Sequence, residues 1–333
     1  VELSERDYND LINANMDNKI VKEILTPYKK AIDQGVQSIM VSYNSINGKK
    51  CHGNKDVLTT LLKEKLGFEG IIISDYNGLD QIENQSSYKD KAIACINAGV
   101  DMLMVAEQDG DTPRWKNLYN ALVEAVNEDK ISEERLNDAV ARILTAKENI
   151  GLLDDSSKAY ANKDAQALFG GQEHRTLARQ AVSESLVLLK NDTVKDGQTM
   201  MQALENMDNL MVAGSAGDDI GKQCGGWTIT WQGSTGNTTK GTTIFSGLKA
   251  AMDKKGGTIN YSANGVYADS TSKVDAAIVV VGEDPYAESN GDRSASQLKL
   301  PASDISTIKQ IENSHPDTPI ILVLTTGRPI AIA

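Results

Sequence analysis

Asp75 is the first candidate for chemistry, because it stands where a buried strand is expected to end. Residues 70–76 read Gly-Ile-Ile-Ile-Ser-Asp-Tyr, and the three branched apolar residues indicate a short strand covered on both faces, as in a parallel sheet. An ionised Asp there is costly unless it is solvated, hydrogen-bonded or used, and barrel enzymes place their chemistry at the carboxyl ends of strands. The heptapeptide alone leaves open that Asp75 only caps the next helix or turn.

A second set of acids follows another apolar run, at residues 276–282. Residues 281–292 read Val-Gly-Glu-Asp-Pro-Tyr-Ala-Glu-Ser-Asn-Gly-Asp and carry four carboxylates, which predicts a loop rather than a core segment. By itself this loop could be a solvated acidic surface or a cation site. Two acids are also what retaining hydrolysis of a glycosidic bond requires. One ionised carboxylate attacks the sugar carbon and one protonated carboxyl assists the leaving oxygen, about 5 to 5.5 Å away.

Two of the three tryptophans, Trp227 and Trp231, lie four residues apart between glycines. The surrounding segment, residues 224–233, is too rich in glycine for a stable helix. Aromatic side chains can cover the apolar face of a pyranose ring while nearby polar groups satisfy its hydroxyls. Core packing is an equal alternative on composition alone.

The overall composition excludes several classes of protein. The 333 residues are 40% hydrophobic and 24% charged, an ordinary globular balance. The net charge of −12 argues against nucleic-acid binding, and the apolar runs are far shorter than the roughly 20 residues of a membrane span. The cysteines and histidines are too dispersed for a disulfide framework, a metal site or a catalytic triad, so all three histidines are interpreted as structural: Cys51, Cys95, Cys224, His52, His174 and His315.

Alternating strand and helix patterns predict two successive α/β regions. Before residue 150 the pattern indicates βαβ units with a parallel sheet, with strands at 38–42, 70–73 and 100–105 and helices at 17–34, 56–66, 88–98, 115–127 and 132–148. A loop is expected at 44–54. A polar turn at 151–157 and a helix at 164–185 follow. A second, open α/β sheet is predicted after them, with strands at 186–191, 209–214, 258–261, 276–282 and 320–324 and helices near 247–253 and 303–313.

The segments 41–48 and 67–76 resemble the glycoside hydrolase family 3 β-glucosidases and exo-β-glucanases, as do the tryptophan segment and the acidic loop. The resemblance implies the C-terminal part of a (β/α)8-type barrel over residues 1–150, an interdomain linker and helix over 151–185, and an α/β sandwich domain, incomplete at its C-terminus, over 186–333. Three strand units are fewer than the eight of a barrel. The family's sugar-binding Asp, Arg and Lys-His residues are then expected to lie outside this chain, and the chain alone is expected to be inactive.

The resemblance also assigns catalytic roles. It implies that Asp75 is the nucleophile and that Glu288, after a Pro-Tyr step, is the general acid/base, with Glu283 a weaker candidate for the latter role. Their environments must differ, so that one stays ionised and the other keeps its proton. Tyr43 matches a family tyrosine near the nucleophile and is expected to bind substrate, with its hydroxyl bonded to the carboxylate or to the ring oxygen of the sugar; the alternative is a tyrosine that merely ends a strand. The active site is expected in the cleft between the two domains.

Three aromatic residues are expected to bind the sugar in the +1 subsite. The resemblance makes Trp231 one wall of this subsite, with Trp227 in support. The opposing wall follows the nucleophile and is usually Trp, but here it is Tyr76. This departure leaves the linkage preference open.

The resemblance therefore implies a retaining, exo-acting β-glucosidase or β-glucan glucohydrolase that releases glucose from β-linked glucosides or oligosaccharides. It needs no cofactor or metal, and no nucleic acid or membrane partner is expected. Family resemblance favours a secreted or periplasmic location. One alternative is a β-xylosidase or β-N-acetylglucosaminidase of the same family. Another is a non-catalytic α/β protein that binds sugars or nucleotides, which the acidic loops and the turn at Gly214 suggest.

Overall fold

The computed structural model describes residues 1–83, 85–106, 108–109, 112–154, 160–195, 197–267 and 273–332. These residues form two compact units, Val1–Leu177 and Ala178–Ala333. Parallel strands and helices make up the core of each, so the α/β class is confirmed. The division predicted at residues 150 and 185 stays a prediction.

The helices of the first part of the chain begin at side-chain caps in several places. Asn18, Ser87 and Ser132 each accept a backbone N–H from the first turn that they precede, which satisfies donors that the helix itself leaves free. The helices are α1 (Glu5–Ile12), α2 (Lys19–Asp33), a π-helix (Asp56–Lys65), α3 (Tyr88–Ala98), α4 (Arg114–Asn127), α5 (Glu133–Asn149), α6 (Lys163–Gln166) and α7 (Gln172–Ser185).

A parallel strand pair lies at the centre of the first unit. Its strands are β1 (Ser38–Met40) and β4 (Ile71–Ile73), with Ile39 opposite Ile72, and Ile72 is fully buried among apolar side chains. The other strands of this unit are β2 (Ser45–Ile46), β3 (Lys49–Lys50), β5 (Gln108–Asp109) and β6 (Thr112–Pro113). The predicted loop at 44–54 thus contains the β2–β3 hairpin.

The prediction of a strand at 100–105 is wrong. Only Met102 pairs with β4, through a parallel bridge to Ile73. The backbone N–H groups of Asp101 and Met102 both donate to the carbonyl of Ile72, and the N–H of Met104 donates to the Ser74 hydroxyl. Side-chain and shared hydrogen bonds therefore replace the regular ladder that a strand needs.

The second unit is built on an open parallel sheet, as predicted. Its elements are β7 (Thr193–Lys195), β8 (Gln198–Thr199), α8 (Met200–Leu204), β9 (Asn209–Ala213), α9 (Ile220–Cys224), α10 (Ile244–Lys255), β10 (Thr258–Ser262), β11 (Ala276–Gly282), α11 (Ala302–Ser314) and β12 (Ile320–Thr325). The strand order of the sheet is β10-β9-β11-β12, and every neighbouring pair is parallel. All seven residues of β11 are buried, as expected for a central strand with helices on both faces.

The order of this sheet creates a switch point between β9 and β11. The chain passes from β9 outward to β10 and then returns to β11 on the other side of β9. The loops that leave β9 and β11 consequently part from each other, and in open α/β sheets the crevice outside such strand ends is where ligands bind. The acidic loop begins at this point.

Two further predictions differ from the structure. Residues 186–191 form no strand, and the side chains of Leu186, Val187, Leu188 and Leu189 are 63% to 77% exposed. An apolar run becomes a strand only with a partner for its backbone, and this one has none among the described residues. The helix predicted at 164–185 is interrupted before α7, where Gly170 has a φ of +67°. Residues 155–157 of the predicted turn lie outside the described residues.

None of the helices in the described part of the chain has both the length and the apolar character that crossing a bilayer requires.

Candidate active site

The turn after β4 presents the carboxylate of Asp75. The backbone N–H of Asp75 donates to Nε2 of His52 at 3.0 Å, and Oδ1 accepts the N–H of Tyr76 at 2.7 Å. The next helical turn, Gly78–Gln81, begins at Asn77 without a side-chain cap. Asp75 is therefore not the cap of that turn. Within the described residues its Oδ2 accepts no hydrogen bond, which leaves one oxygen available for a reaction.

His52 lies directly beneath this turn and is completely buried. Because Nε2 accepts the N–H of Asp75, the neutral ring carries its proton on Nδ1. Burial lowers the pKa of His52, although the nearby Asp75 carboxylate opposes the shift. The ring is so close to Gly78 that a Cβ atom there would lie 2.1 Å from Nε2. The imidazole thus acts as a rigid acceptor under the candidate nucleophile.

Two tyrosines flank Asp75. The Tyr43 hydroxyl donates to the carbonyl oxygen of Tyr76, and the Tyr43 ring lies 6.0 Å from the His52 ring, centroid to centroid. The Tyr76 residue is 47% exposed, so its ring can contact a ligand. The two tyrosines that the sequence analysis selects, Tyr43 and Tyr76, are therefore neighbours of Asp75.

Hydrogen bonds of Ser74 and Asn77 fix the turn that contains Asp75 and connect it to residues 104–106. The hydroxyl of Ser74 donates to the carbonyl of Asp75 at 2.9 Å and accepts the N–H of Met104 at 2.7 Å. Asn77 has a φ of +51°, and its side chain accepts the N–H of Ala106 at 3.1 Å. A left-handed residue costs free energy, which the surrounding hydrogen bonds must offset.

A buried ion-pair network fixes β4 itself. Oδ2 of Asp101 accepts the N–H of Ile72 at 2.8 Å, and Oδ1 lies 2.7 Å from Nζ of Lys63 and also pairs with Arg135. The Asp101 side chain has no exposed surface. Burial lowers the pKa of Lys63, while its hydrogen bond to Asp101 opposes the shift. Paired charges of this kind can remain ionised in the interior.

In the second unit, Glu288 lies on the loop that leaves β11. Its φ of +51° is left-handed, a conformation that non-glycine residues adopt mainly where surrounding structure enforces it. The preceding residue, Ala287, is buried, and the side-chain amide of Gln232 holds its peptide groups in both directions, at 3.0 and 3.3 Å. The Glu288 residue is exposed and forms no ion pair with the described residues. Its carboxyl group is free to meet a ligand.

The tryptophan loop packs directly against the Glu288 loop. A Cβ atom on Gly226 would lie 2.0 Å from the carbonyl oxygen of Tyr286, so only glycine permits this approach. The N–H of Trp227 donates to the carbonyl of Trp231 at 2.9 Å, which closes the loop on itself. Trp227 is 68% exposed and Trp231 is 48% exposed. These tryptophans are therefore surface residues beside the acidic loop and not core residues.

Glu283, the weaker acid/base candidate, has a different environment. Its two oxygens lie 3.2 and 3.1 Å from Nε and Nη2 of Arg328, and both side chains are only 17% exposed. Both oxygens of Glu283 are thus occupied by a contact within the protein, whereas the Glu288 side chain has no such contact among the described residues. The geometry favours Glu288 over Glu283 as the proton donor.

A buried polar network stands at the ends of β9 and β11. Asp304 accepts the N–H of Gly282 at 3.0 Å and the hydroxyl of Ser215 at 3.2 Å. Lys222 donates to Ser215 and forms an ion pair with Asp284 at 2.8 Å. Burial raises the pKa of Asp304, and the hydrogen bond from Gly282 opposes the shift. This network fixes the first residues of the acidic loop.

The candidate site residues thus form two groups. Asp75, Tyr43 and Tyr76 share one turn of the first unit, and Glu288 shares a pair of packed loops with the two tryptophans in the second unit. Among the residues that the structure describes, no three His, Cys, Asp or Glu side chains come together as a metal site would need.

Comparison with known proteins assigns the family. The description "Glycosyl hydrolase family 3 N terminal domain" matches residues 6–146, and "Glycosyl hydrolase family 3 C-terminal domain" matches residues 186–333. The chain belongs to glycosyl hydrolase family 3. The expected recognition and fold class, a barrel-type domain followed by a second α/β domain, are thereby confirmed.

Individual relatives of this family 3 chain are glycosidases. The exo-1,3/1,4-β-glucanase ExoP of a Pseudoalteromonas species is 35% identical, with a TM-score of 0.80 over 100% of this chain and 49% of that one. The lysosomal β-glucosidase of Dictyostelium discoideum is 27% identical over 89% of this chain and 36% of its own length. A β-xylosidase of Formosa agariphila is 28% identical over 96% and 45%, respectively. The chain spans less than half the length of each.

Three contacts of the candidate site in this family 3 chain are not evident from the sequence. His52 is interpreted as structural, although its segment 51–54 is similar to a family loop that shapes the cleft, and no motif singles out Gln232 or Arg328. Arg328 follows β12 by three residues, so the criterion that selects Asp75, a charged residue after a buried parallel strand, could have found it. His52 and Gln232 carry no such local signal, because their partners are distant in sequence.

Proposed function

We propose that the gene product is a retaining, exo-acting β-glucosidase or β-glucan glucohydrolase, which releases glucose from the non-reducing ends of β-linked glucosides. One observation carries this proposal, the 35% identity to an exo-1,3/1,4-β-glucanase across the whole of this chain. The name of the Dictyostelium relative, a β-glucosidase, supports the same substrate class. A half-buried carboxylate in the turn after β4 and an exposed carboxyl group on the loop that leaves β11 are consistent with the chemistry.

In this proposal Asp75 is the nucleophile. Its free Oδ2 attacks the anomeric carbon, and the bond from that carbon to the leaving oxygen breaks. The N–H of Tyr76 on Oδ1 fixes the orientation of the carboxylate. Glu288 gives its proton to the leaving oxygen and then, as the base, takes a proton from the water that displaces Asp75. The two steps together retain the anomeric configuration.

The aromatic residues provide the leaving-group subsite in this proposal. Trp231 and Trp227 are exposed on the loop that packs against the Glu288 loop, so a sugar bonded to the leaving oxygen would meet their ring faces. Tyr76, beside the nucleophile, would cover the same sugar less broadly than a tryptophan. We expect a weaker dependence on linkage than two tryptophan walls would give.

The roles are tested by Asp75→Ala and Glu288→Ala in the full-length gene product. With 2,4-dinitrophenyl β-glucoside, Glu288→Ala should keep measurable kcat/KM, because this leaving group needs little protonation, and azide should raise its kcat and give β-glucosyl azide. Asp75→Ala should lose turnover on every substrate without rescue of that kind. A wild-type protein without turnover on any glycoside would refute the proposal and support a binding protein. Azide rescue of neither variant, with an active wild type, would refute the assigned roles.

A β-xylosidase is the second candidate, on the observation that the Formosa relative carries that name at 28% identity. The two sugars differ by the hydroxymethyl group of glucose, which a pocket can discriminate through its contacts with that group. The ratio of kcat/KM for 4-nitrophenyl β-glucoside and β-xyloside separates the candidates. A ratio below one would favour the xylosidase.

A further inference from the structure

Arg328 contacts the Glu288 loop on both sides of Glu288. Its guanidinium pairs with Glu283, five residues before the candidate acid, and Nη1 donates to the carbonyl of Gly291, three residues after it. The loop is thereby fixed at its two ends by a single planar group. Arginine suits this task because its donors have a fixed geometry.

The middle of the loop is held by the same side chain. Cζ of Arg328 lies 4.0 Å from the centroid of the Tyr286 ring, a cation–π distance. That ring is enclosed between two glycines: a Cβ on Gly291 would lie 2.5 Å from it, and one on Gly327 would lie 2.6 Å from its hydroxyl. Tyr286 is therefore held against the backbone of Gly291, after Glu288 in the loop, and of Gly327, after β12. Through its contacts with the Tyr286 ring, Arg328 also restricts the residues on either side of Glu288.

The loop also carries backbone strain that must be offset locally. Glu288 has a left-handed φ, and its side chain has no partner among the described residues. Its orientation must come from its neighbours, namely the hydrogen bonds of Gln232 to Ala287 on one side and Arg328 on Gly291 on the other. Losing either would let the loop relax and move the carboxyl group.

We propose that Arg328 is a positioning residue for the general acid. Its guanidinium sets the conformation of residues 283–291, and thus the position of the Glu288 carboxyl group relative to the leaving oxygen. This inference rests on the proposed function of Glu288. Arg328 itself donates no proton and touches no substrate, so its effect on turnover passes entirely through Glu288.

The experiment compares Arg328→Met with Glu288→Gln in the full-length gene product, on two substrates. Phenyl β-glucoside needs protonation of its leaving oxygen, whereas 2,4-dinitrophenyl β-glucoside does not. General-acid catalysis contributes about 10²- to 10⁴-fold. We expect Arg328→Met to lower kcat/KM by roughly 10- to 100-fold on the phenyl substrate and by less than about threefold on the dinitrophenyl substrate. Arg328→Lys keeps the positive charge but lacks the planar set of donors of the guanidinium. Its kcat/KM on the phenyl substrate should lie between those of wild type and Arg328→Met.

Two controls separate positioning from a general loss of folded protein. Arg293→Met removes an exposed arginine whose side chain, within the described residues, donates only to the carbonyls of Asn290 and Asp292. Because these bonds are exposed to water and weak, the change should leave kcat/KM on both substrates unchanged. In the Glu288→Gln background, Arg328→Met should add no more than about a twofold loss, because residues acting as a unit are not additive. Hydrogen exchange of the amides at 283–291 should be faster in Arg328→Met than in Arg293→Met.

The outcomes are distinguishable. Equal losses on both substrates, or an additive loss in the double variant, would overturn the role of Arg328 while Glu288→Gln still shows its selective loss. If Glu288→Gln shows no preference between the substrates, the proposed function of Glu288 fails first. Unchanged hydrogen exchange at residues 283–291 in an active Arg328→Met variant would also overturn the inference. The loop would then keep its conformation without the contacts of the Arg328 side chain.

Discussion

Asp101 connects the strand that ends at the candidate nucleophile to two helices, and its replacement makes a quantitative test of the first unit. Asp101→Ala removes a carboxylate with no exposed surface, which accepts the N–H of Ile72 and pairs with Lys63 and Arg135. An unsatisfied buried N–H costs about 1 to 3 kcal/mol. Breaking a buried ion pair on one side costs about 3 to 5 kcal/mol in all. Opening of β4 should become easier by that amount.

The assay is hydrogen exchange of the amides in β4. At about 1.4 kcal/mol for each factor of ten, the loss corresponds to exchange faster by about 10²- to several 10³-fold, provided that the strand recloses faster than an open amide exchanges. The matched control is Lys89→Met, which removes the ion pairs of Lys89 with Glu124 and Glu128 on the surface of the same unit. Surface pairs stabilise little. If Asp101→Ala exchanges at the rate of Lys89→Met, the network does not hold β4 and the reasoning fails.

Two further predictions concern the surroundings of the candidate acids. Because burial lowers the pKa of His52 below its ordinary 6.5, the unfolded chain binds the proton more readily, so stability is lost as the pH falls below about 6.5. His52→Gln should remove this part of the pH dependence of β4 exchange between about pH 7 and 5.5, and replacing the exposed His174 with Gln should not; equal slopes in wild type and His52→Gln would contradict this. Gly226→Ala places a Cβ 2.0 Å from the Tyr286 carbonyl and should speed amide exchange in the Glu288 loop. Gly256→Ala, at the end of α10 with open space around a left-handed backbone of φ +76° and ψ +16°, should cost about 1 to 2 kcal/mol of strain and leave that exchange unchanged.

A strand could be predicted correctly where its own residues were enough to indicate a buried position in a sheet. The seven small and apolar residues of β11 form a strand with the predicted bounds, because a continuous apolar run suits the centre of a parallel sheet. The same criterion failed at residues 186–191, where the apolar run has no strand beside it among the described residues, and at 100–105, where a charged side chain diverts the backbone. Strand formation depends on a partner, which a local pattern does not contain.

The site could be predicted only for residues that stand out within their own segment. Asp75 ends an apolar run and Glu288 lies in an acidic loop, which made both candidates, but only the resemblance to family 3 assigned them roles. The groups that hold them are 23 residues away for His52 and Asp75, 55 for Gln232 and Ala287, and 45 for Arg328 and Glu283. Such pairings follow from the order of strands in a sheet and leave no trace in spacing along the chain.

The two hydrogen bonds between the Gln232 amide and the peptide groups of Ala287 have a consequence for how the surfaces of these two loops can evolve. The amide grips peptide groups, so the mutual register of the two loops does not depend on the side chains that project from their tips, such as the exposed Ile229 and Ser289. Under the proposed function, mutation can then vary the surface that meets the aglycone while Glu288, the proposed proton donor, keeps its place. A new preference among glycosides could then arise at these tips without a change in the proposed catalytic residues.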